Sequence, residues 1–197
     1  MNKELIIDGT DHVAGKLAAF IAKKALEGYT IHVLCAEKLV FTGPMHRRVS
    51  MYKSYLNKRN VVNPARGAFH YKEPSKYFRK VFRNMACRKT VRGKEAANRI
   101  SVYEGIPKQF ENVERLVVPK ALREVTTDID RKFIYLGDLL SKFGWNCATL
   151  CESLKEDLLA REKMLKEKAL KQKSEIENLK ESESFKAEVD KKMSQYA

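Results

Sequence analysis

The stretch LIIDGTDHVAGKLAAFIAKKALEGYTIHVLC, residues 5–35, contains two strand-like apolar runs separated by one helical pattern. Leu5-Ile6-Ile7 predicts a short buried strand, and the β-branched run at 30–35 predicts a second one. Between them, apolar residues recur at helical spacing over 13–26, and Gly28 is typical of a helix end. A strand, a helix and a strand joined by short turns predict a right-handed parallel crossover, so the expected fold class is α/β.

The turn in this unit resembles a phosphate-binding loop only in part. Gly9 and Gly15-Lys16 follow a strand and open a helix, but five residues separate the two glycines where such a loop has four. Leu17 stands where that loop needs a hydroxyl to hold magnesium. Both departures argue against nucleotide hydrolysis, although the helix N-terminus is suited to face an RNA phosphate.

All of the net charge of +14 comes from one segment, residues 44–99, which we call the basic segment. It contains sixteen Lys and Arg against Glu73 and Glu95, whereas acidic and basic residues are equal in number in each part of the chain outside it. Charge confined in this way indicates a surface that meets dense negative charge, since solubility alone is served by charge spread over the whole surface.

Aromatic side chains are interleaved with these cations and favour RNA as the partner. Bases stack on aromatic and guanidinium planes while Lys and Arg contact phosphates. Prolines and glycines break the segment into short pieces, unlike a membrane-binding amphipathic helix. Phe78 and Phe82 lie at helical spacing and are predicted to be core residues. The aromatic set is Tyr52, Tyr55, Phe69, His70, Tyr71, Tyr77, Phe78 and Phe82.

The remaining patterns predict short elements followed by one long helix. Proline and glycine are absent from about Thr149 onwards, where Glu, Lys, Leu and Ala dominate. The apolar positions of this helix form a broken heptad with Gln172 and Lys186 in the seam, so a helix lying along a partner fits better than a coiled coil. A solvated charged tail is an equal alternative for the last twenty residues. Earlier, we expect helices at 45–57, from 74, at 93–100 and at 137–143, an irregular loop at 61–72, and strands at 116–118 and 132–136.

The four cysteines predict buried, reduced thiols in an intracellular protein rather than disulfides or metal ligands. The longest uninterrupted apolar run, residues 17–22, is too short to span a membrane, and the first residues lack the layout of a signal peptide. The cysteines are scattered without a C-x-x-C pair, at Cys35, Cys87, Cys147 and Cys151.

Over roughly residues 4–150, the chain resembles the L13 family of large-subunit ribosomal proteins, in its eukaryotic type. Many ordered motifs carry this resemblance: NPARGAFH at 63–70, PSKYF at 74–78, RNM at 83–85, KTVRG at 89–93, AA at 96–97, YEGIP at 103–107, VVPKAL at 117–122, RKF at 131–133, LG at 136–137 and GW at 144–145. The sequence departs from the family at Ala68, where proline is usual, and at Asp138, where arginine is usual.

The resemblance implies a three-layer α/β/α domain with a small, mostly parallel four-stranded sheet at 1–148, containing the basic segment, and a charged helical extension at 149–197. It also implies a non-enzymatic component of the large subunit, without cofactor, metal, membrane or small-molecule ligand. Its partners would be large-subunit ribosomal RNA and neighbouring ribosomal proteins, in the cytoplasm, with nucleolar assembly in a eukaryote.

The family's RNA-facing positions match nine residues here: Arg66, Gly67, His70, Ser75, Lys76, Arg83, Lys89, Arg92 and Gly93. We expect glycine at position 67 either because φ is positive there or because RNA approaches too closely for a side chain. The charge distribution adds Arg47, Arg48, Lys58, Arg59, Arg79, Arg88, Lys94 and Arg99. Candidates for protein contact in the extension are Leu158, Leu165, Ile176 and Leu179.

Two functions of other classes remain open. An RNA-modifying enzyme would need a cofactor loop or converging acid–base groups, and no histidine has a carboxylate partner nearby in the sequence. A free regulatory RNA-binding protein is compatible with the same residues as an additional role.

Overall fold

The computed structural model describes residues 3–87, 89–181, 185, 189 and 192. It shows a mixed α/β fold and two compact units, Met1–Ser153 and Leu154–Ala197. The described strands are β1 (Glu4–Asp8), β2 (Thr30–Leu34), β3 (Val40–Thr42), β4 (Ile100–Val102) and β5 (Phe133–Tyr135). The described α-helices are α1 (Ala14–Leu26), α2 (Met45–Leu56), α3 (Pro74–Met85), α4 (Val91–Asn98), α5 (Arg123–Thr126), α6 (Leu136–Ser141) and α7 (Ala148–Glu181).

The predicted crossover of residues 5–35 is confirmed. β1 and β2 pair in parallel, with Ile7 opposite Val33, and α1 lies between them in the chain. Leu17 and Ile21 on the apolar face of α1 are fully buried, and Phe20 and Leu26 are half-buried against the same core. Gly28 follows the helix with φ of +97°, the left-handed conformation that ends a helix most easily with glycine.

The predicted four-stranded sheet is wrong. The parallel sheet has the order β1-β2-β4, while β3 and β5 form a separate antiparallel pair. The predicted strand at 116–118 makes one bridge, between Leu116 and Ile7, because Pro119 follows at once and begins a 3-10 helix. The strand at 132–136 exists as β5 but pairs with β3, a short strand that no sequence pattern predicted.

The two faces of the parallel sheet are covered differently. Ile7 and Ile31 belong to the large cluster that also contains the buried residues of α1, α3 and α4. Leu34 points to the opposite face and packs with Phe110 of the 3-10 helix Lys108–Phe110. Within the described part of the first unit, this second face is therefore covered by a 3-10 helix and loops, and not by the α-helical layer that the three-layer description supplies.

Most predicted helices are confirmed, with small shifts at their ends. α2 and α3 begin at Met45 and Pro74 as expected, and Phe78 and Phe82 are fully buried core residues. α4 begins earlier than predicted, because the Thr90 hydroxyl caps its N-terminus by accepting from Gly93 N at 3.1 Å. It ends at Asn98, so the chain reaches Ile100 as a strand.

The prediction of buried thiols holds for only part of the cysteines. Cys35 is buried and Cys151 is half-buried, but Cys87 and Cys147 are exposed, so the prediction of buried thiols is wrong for these two. Among the described residues, no helix combines the length and the hydrophobicity that a membrane span requires.

The second unit is described as helix up to Glu181. Leu165, Ile176 and Leu179 are 57%, 51% and 64% exposed, whereas Leu158 is 5% exposed. The predicted seam residue Lys186 and most of the last twenty residues lie outside the described residues.

Candidate nucleic-acid interface

A cationic groove lies between α3 and α4. α3 begins with Pro74, whose fixed φ suits a first helical position, and it buries Phe78 and Phe82 on one side. Its other side faces α4 across an open cleft of about 500 Å³, and none of the nine lining residues is acidic. Cations account for five of the lining residues: Lys76, Arg79, Lys80, Arg83 and Lys94.

Lys80 belongs to this groove although it is absent from the predicted site residues. Its ammonium donates to the Tyr55 hydroxyl and to the Phe69 carbonyl, and it lies 4.4 Å from the centre of the Tyr55 ring. Lys80 thus ties α3 to α2 and to the loop before α3. The sequence signal that identifies Lys80 is its position four residues after Lys76 and three before Arg83, which places the three cations on one face of the helix.

The irregular loop of residues 57–73 is held by side chains of α2 and by His70. The hydroxyl of Tyr52 donates to Tyr71 O at 2.7 Å, and the hydroxyl of Tyr55 donates to Phe69 O at 2.9 Å. The His70 ring donates from Nε2 to Lys58 O at 2.8 Å, which closes the base of the loop. The loop is therefore positioned by the folded domain.

Gly67 is required by the loop itself. Its φ is −84°, which excludes the first of the two reasons given for glycine, a positive φ. A Cβ at Gly67 would lie 2.8 Å from Asn60 N and 3.3 Å from Pro64 O, so the two sides of the loop meet where the glycine has no side chain. The structure thus supplies a contact within the protein that accounts for the glycine without RNA.

Seven of the predicted cations are exposed and have no ion pair or side-chain hydrogen bond with another described residue. Free cations on a folded surface are the groups that remain available for phosphates. These residues are Arg47, Lys58, Arg59, Arg66, Arg83, Lys89 and Lys94. Arg88 lies outside the described residues.

Other predicted cations are partly used by the fold. Arg99 donates to Ala25 O at 3.2 Å and Arg92 donates to Leu26 O at 3.3 Å, so both cations lie at the C-terminus of α1, where the helix dipole favours positive charge. Arg48 donates from Nε to Thr42 O at 2.9 Å and is half-buried. Arg79 makes a long bond of 3.4 Å to Ala97 O and stays exposed.

Lys76 and two predicted uncharged residues also make contacts within the domain. Lys76 is exposed and forms an ion pair of 2.9 Å with Glu73. The Ser75 hydroxyl donates to Glu104 Oε1 at 2.9 Å. Gly93 is buried, and a Cβ there would lie 2.1 Å from Ala86 O, so glycine allows α4 to pack against the turn after α3.

The aromatic residues of the basic segment are largely packed against one another. Tyr52 is 3% exposed, its ring centre lies 4.4 Å from that of Phe143, and burial raises the pKa of its hydroxyl to about 12. Burial also raises the pKa of Tyr77. Of the eight interleaved aromatics, all of which the structure describes, Phe69 is the exposed one, at 60%, and so offers a ring for stacking.

Two histidines, His12 and His32, make contacts within the domain. His12 donates from Nδ1 to Thr10 O at 2.8 Å and accepts from Val118 N at 3.0 Å, which links the turn after β1 to the segment before Pro119. His32 lies 3.1 Å from a carboxylate oxygen of Glu4, a pairing between neighbouring strands that is not visible in the sequence. Among the described residues, no group of three or more His, Cys, Asp or Glu is arranged to hold a metal ion.

Comparison with known proteins adds a family to this geometry. Residues 2–109 match the sequence profile of a family described as "Ribosomal protein L13". The chain is 39% identical over 160 residues to "Large ribosomal subunit protein uL13" of Drosophila melanogaster, covering 81% of this chain and 78% of that protein. Proteins of the same description show 43% identity in Caenorhabditis elegans, over 73% of this chain and 71% of theirs, and 40% in Spodoptera frugiperda, over 84% of each.

Proposed function

The chain belongs to the L13 family of large-subunit ribosomal proteins, and from this premise we propose that it binds ribosomal RNA through the basic segment and supports assembly of the subunit. Family membership implies a ribonucleoprotein component with a role in translation.

One observation carries the RNA-binding proposal. The whole net charge of the chain lies in 44–99, and the exposed cations of that segment without a described partner lie on α2, on the loop before α3, on α3, and on α4 with the turn that precedes it. Each phosphate neutralised by such a cation releases counterions, which gives affinity without reading sequence. The groove between α3 and α4 is wide open and cationic, which suits an RNA backbone.

The same proposal separates residues that touch RNA from residues that position them. Arg47, Lys58, Arg59, Arg66, Arg83, Lys89 and Lys94 contact phosphates directly, with Lys76, Arg79 and Lys80 completing the groove. Arg48, Ser75, Arg92, Gly93 and Arg99 act mainly by holding α1, α2, α3 and α4 in place.

The proposal extends to organisation, partners and location. Residues 1–148 are the RNA-binding domain, and 149–197 are a charged extension. The extension docks on neighbouring ribosomal proteins through Leu165, Ile176 and Leu179, which are exposed in α7. The protein works as a structural component without catalytic activity, in cytoplasmic ribosomes, after assembly in the nucleolus where the cell has one.

Sedimentation of the native protein tests this function. A component of the subunit stays with large subunits in a sucrose gradient after a high-salt wash, because it is held by folded RNA and by protein neighbours. A free regulatory RNA-binding protein leaves the particles in the same wash, since its contacts are mostly electrostatic. Release of the protein at moderate salt therefore contradicts the structural role.

A further inference from the structure

A small closed lobe, residues 60–67, contains two exposed valines. Val61 and Val62 are each 94% exposed, more than any other large hydrophobic residue that the structure describes. They are adjacent in sequence and belong to the loop that Tyr52 and Tyr55 of α2 hold through Tyr71 and Phe69. Together these two β-branched side chains form a small apolar patch bordered by polar residues, and exposed apolar patches of this kind mark interaction sites.

The lobe is closed and ordered by its own hydrogen bonds. The Asn60 side chain accepts from Val62 N at 3.3 Å, and the Asn63 side chain accepts from Ala65 N at 3.1 Å. The neck of the lobe is closed where Gly67 meets the backbone of Asn60. The valines are therefore presented in a fixed place before any partner binds, so little conformational entropy is lost on binding.

The charge around the lobe identifies the partner's chemistry. No Asp or Glu occurs between Glu37 and Glu73, and the exposed cations Lys58 and Arg59 lead into the lobe while Arg66 leads out of it. An apolar tip between cations fits a surface with apolar faces bordered by negative charge. The wide, shallow minor groove of an A-form RNA helix offers such a surface in part, because the C–H faces of its riboses lie beside the 2′-hydroxyls and a phosphate backbone runs along each side.

We propose that Val61 and Val62 pack against ribose faces in a minor groove of ribosomal RNA, while Lys58, Arg59 and Arg66 contact the bordering phosphates. This inference rests on the proposed RNA-binding function and adds to it an apolar contact whose strength does not depend on counterion release. The two kinds of contact are separable by salt, since only the cations contribute to the slope of affinity against salt concentration.

The test is a salt titration of binding to refolded large-subunit ribosomal RNA. In the double variant Val61→Thr/Val62→Thr, size and β-branching are nearly kept while the apolar surface is reduced. We expect its affinity to fall about tenfold at every salt concentration with an unchanged slope. Arg59→Gln should instead lower the slope by somewhat under one unit. Val125→Thr is the matched control, because Val125 is 67% exposed but lies outside the basic segment.

The outcomes separate this inference from the function on which it rests. If the wild-type protein binds the RNA and the double variant binds equally well at all salt concentrations, the apolar contact is refuted and the proposed function stands. If the wild-type protein does not bind, both are refuted. Normal RNA affinity of the double variant combined with its loss from salt-washed subunits would show that the valines dock on a ribosomal protein, which also overturns the RNA contact.

Discussion

Arg83 and Arg99 are both cations of the basic segment, but their surroundings differ. Arg83 is exposed on α3 and has no partner among the described residues, whereas Arg99 donates to Ala25 O and lies 3.5 Å from Glu95. Arg83→Gln should leave the melting temperature unchanged and lower the slope of RNA affinity against salt by about 0.9 for a lost phosphate contact on duplex nucleic acid. A salt titration with an unchanged slope removes Arg83 from the interface.

Arg99→Gln is the matched comparison and should behave in the opposite way. It removes a charged hydrogen bond at the C-terminus of α1, so we expect the free energy of unfolding to fall by about 1 kcal/mol. Chemical denaturation measures this change. At temperatures where the variant is folded, the slope of its RNA affinity against salt concentration should equal that of the wild-type protein. A stable Arg99→Gln variant with a lowered slope would show that this residue contacts RNA after all.

Gly67→Ala tests the geometry of the closed lobe. The added Cβ meets the Asn60 backbone, so the neck must open, and amide hydrogen exchange in residues 60–67 should become faster. Gly15→Ala is the control, since a Cβ there has no neighbour within 4 Å and alanine favours the helix by about 0.5–1 kcal/mol. Unchanged exchange in Gly67→Ala would mean that the neck does not need a glycine.

Glu37 makes the stability of the domain depend on pH. It is 5% exposed and accepts from Gly105 N at 3.0 Å, and burial raises the pKa of its carboxyl above the ordinary value of 4.5. The folded state therefore holds the proton more tightly than the unfolded state, so this group's contribution to stability is present at low pH and is lost as pH rises through the raised pKa.

Glu37→Gln keeps an acceptor for Gly105 N and removes the titration. We expect the variant to be more stable than the wild-type protein near neutral pH, and the difference in melting temperature to shrink as the pH falls towards about 4. Melting curves over that range measure the difference. A difference that stays constant with pH would show that Glu37 does not titrate abnormally.

At the scale of elements, α7 is separable from RNA binding. Residues 162–197 contain nine basic and eight acidic side chains, so their net attraction for RNA is small. Truncation after Arg161 keeps the buried Leu158 and removes the exposed Leu165, Ile176 and Leu179. We expect RNA affinity to stay within about twofold of wild type, while occupancy in salt-washed subunits falls. A large loss of affinity for naked RNA would place the extension at the RNA interface.

The elements that the sequence predicts well are those with a local signal. α1 and α3 have helical spacing and glycine or proline at an end, and β1 and β2 have apolar runs between turns. β3 has only three residues and pairs with β5, about ninety residues away, so no local pattern marks it. The four-stranded sheet failed for the same reason, because pairing partners depend on the whole fold and the run before Pro119 is too short to form a strand.

At the scale of the whole molecule, the location of the charge was predictable and the use of each side chain was not. Composition identifies 44–99 as the basic segment, and exposure follows for most of its cations. Partners such as Leu26 for Arg92, or Glu104 for Ser75, come from distant parts of the chain and emerge only when the domain is folded. For this reason a list of basic residues is larger than the interface itself, because some of these residues hold the domain together.

The central claim is that the basic segment binds ribosomal RNA inside the large subunit. Ultraviolet cross-linking of purified large subunits, followed by mass spectrometry of the RNA-linked peptides, tests it most directly. We predict cross-links from this chain to large-subunit RNA in peptides covering residues 58–69 and 76–94, with Phe69 and the cations of α3 among the linked sites. Cross-links confined to the charge-balanced parts, 1–43 and 100–197, would contradict the claim.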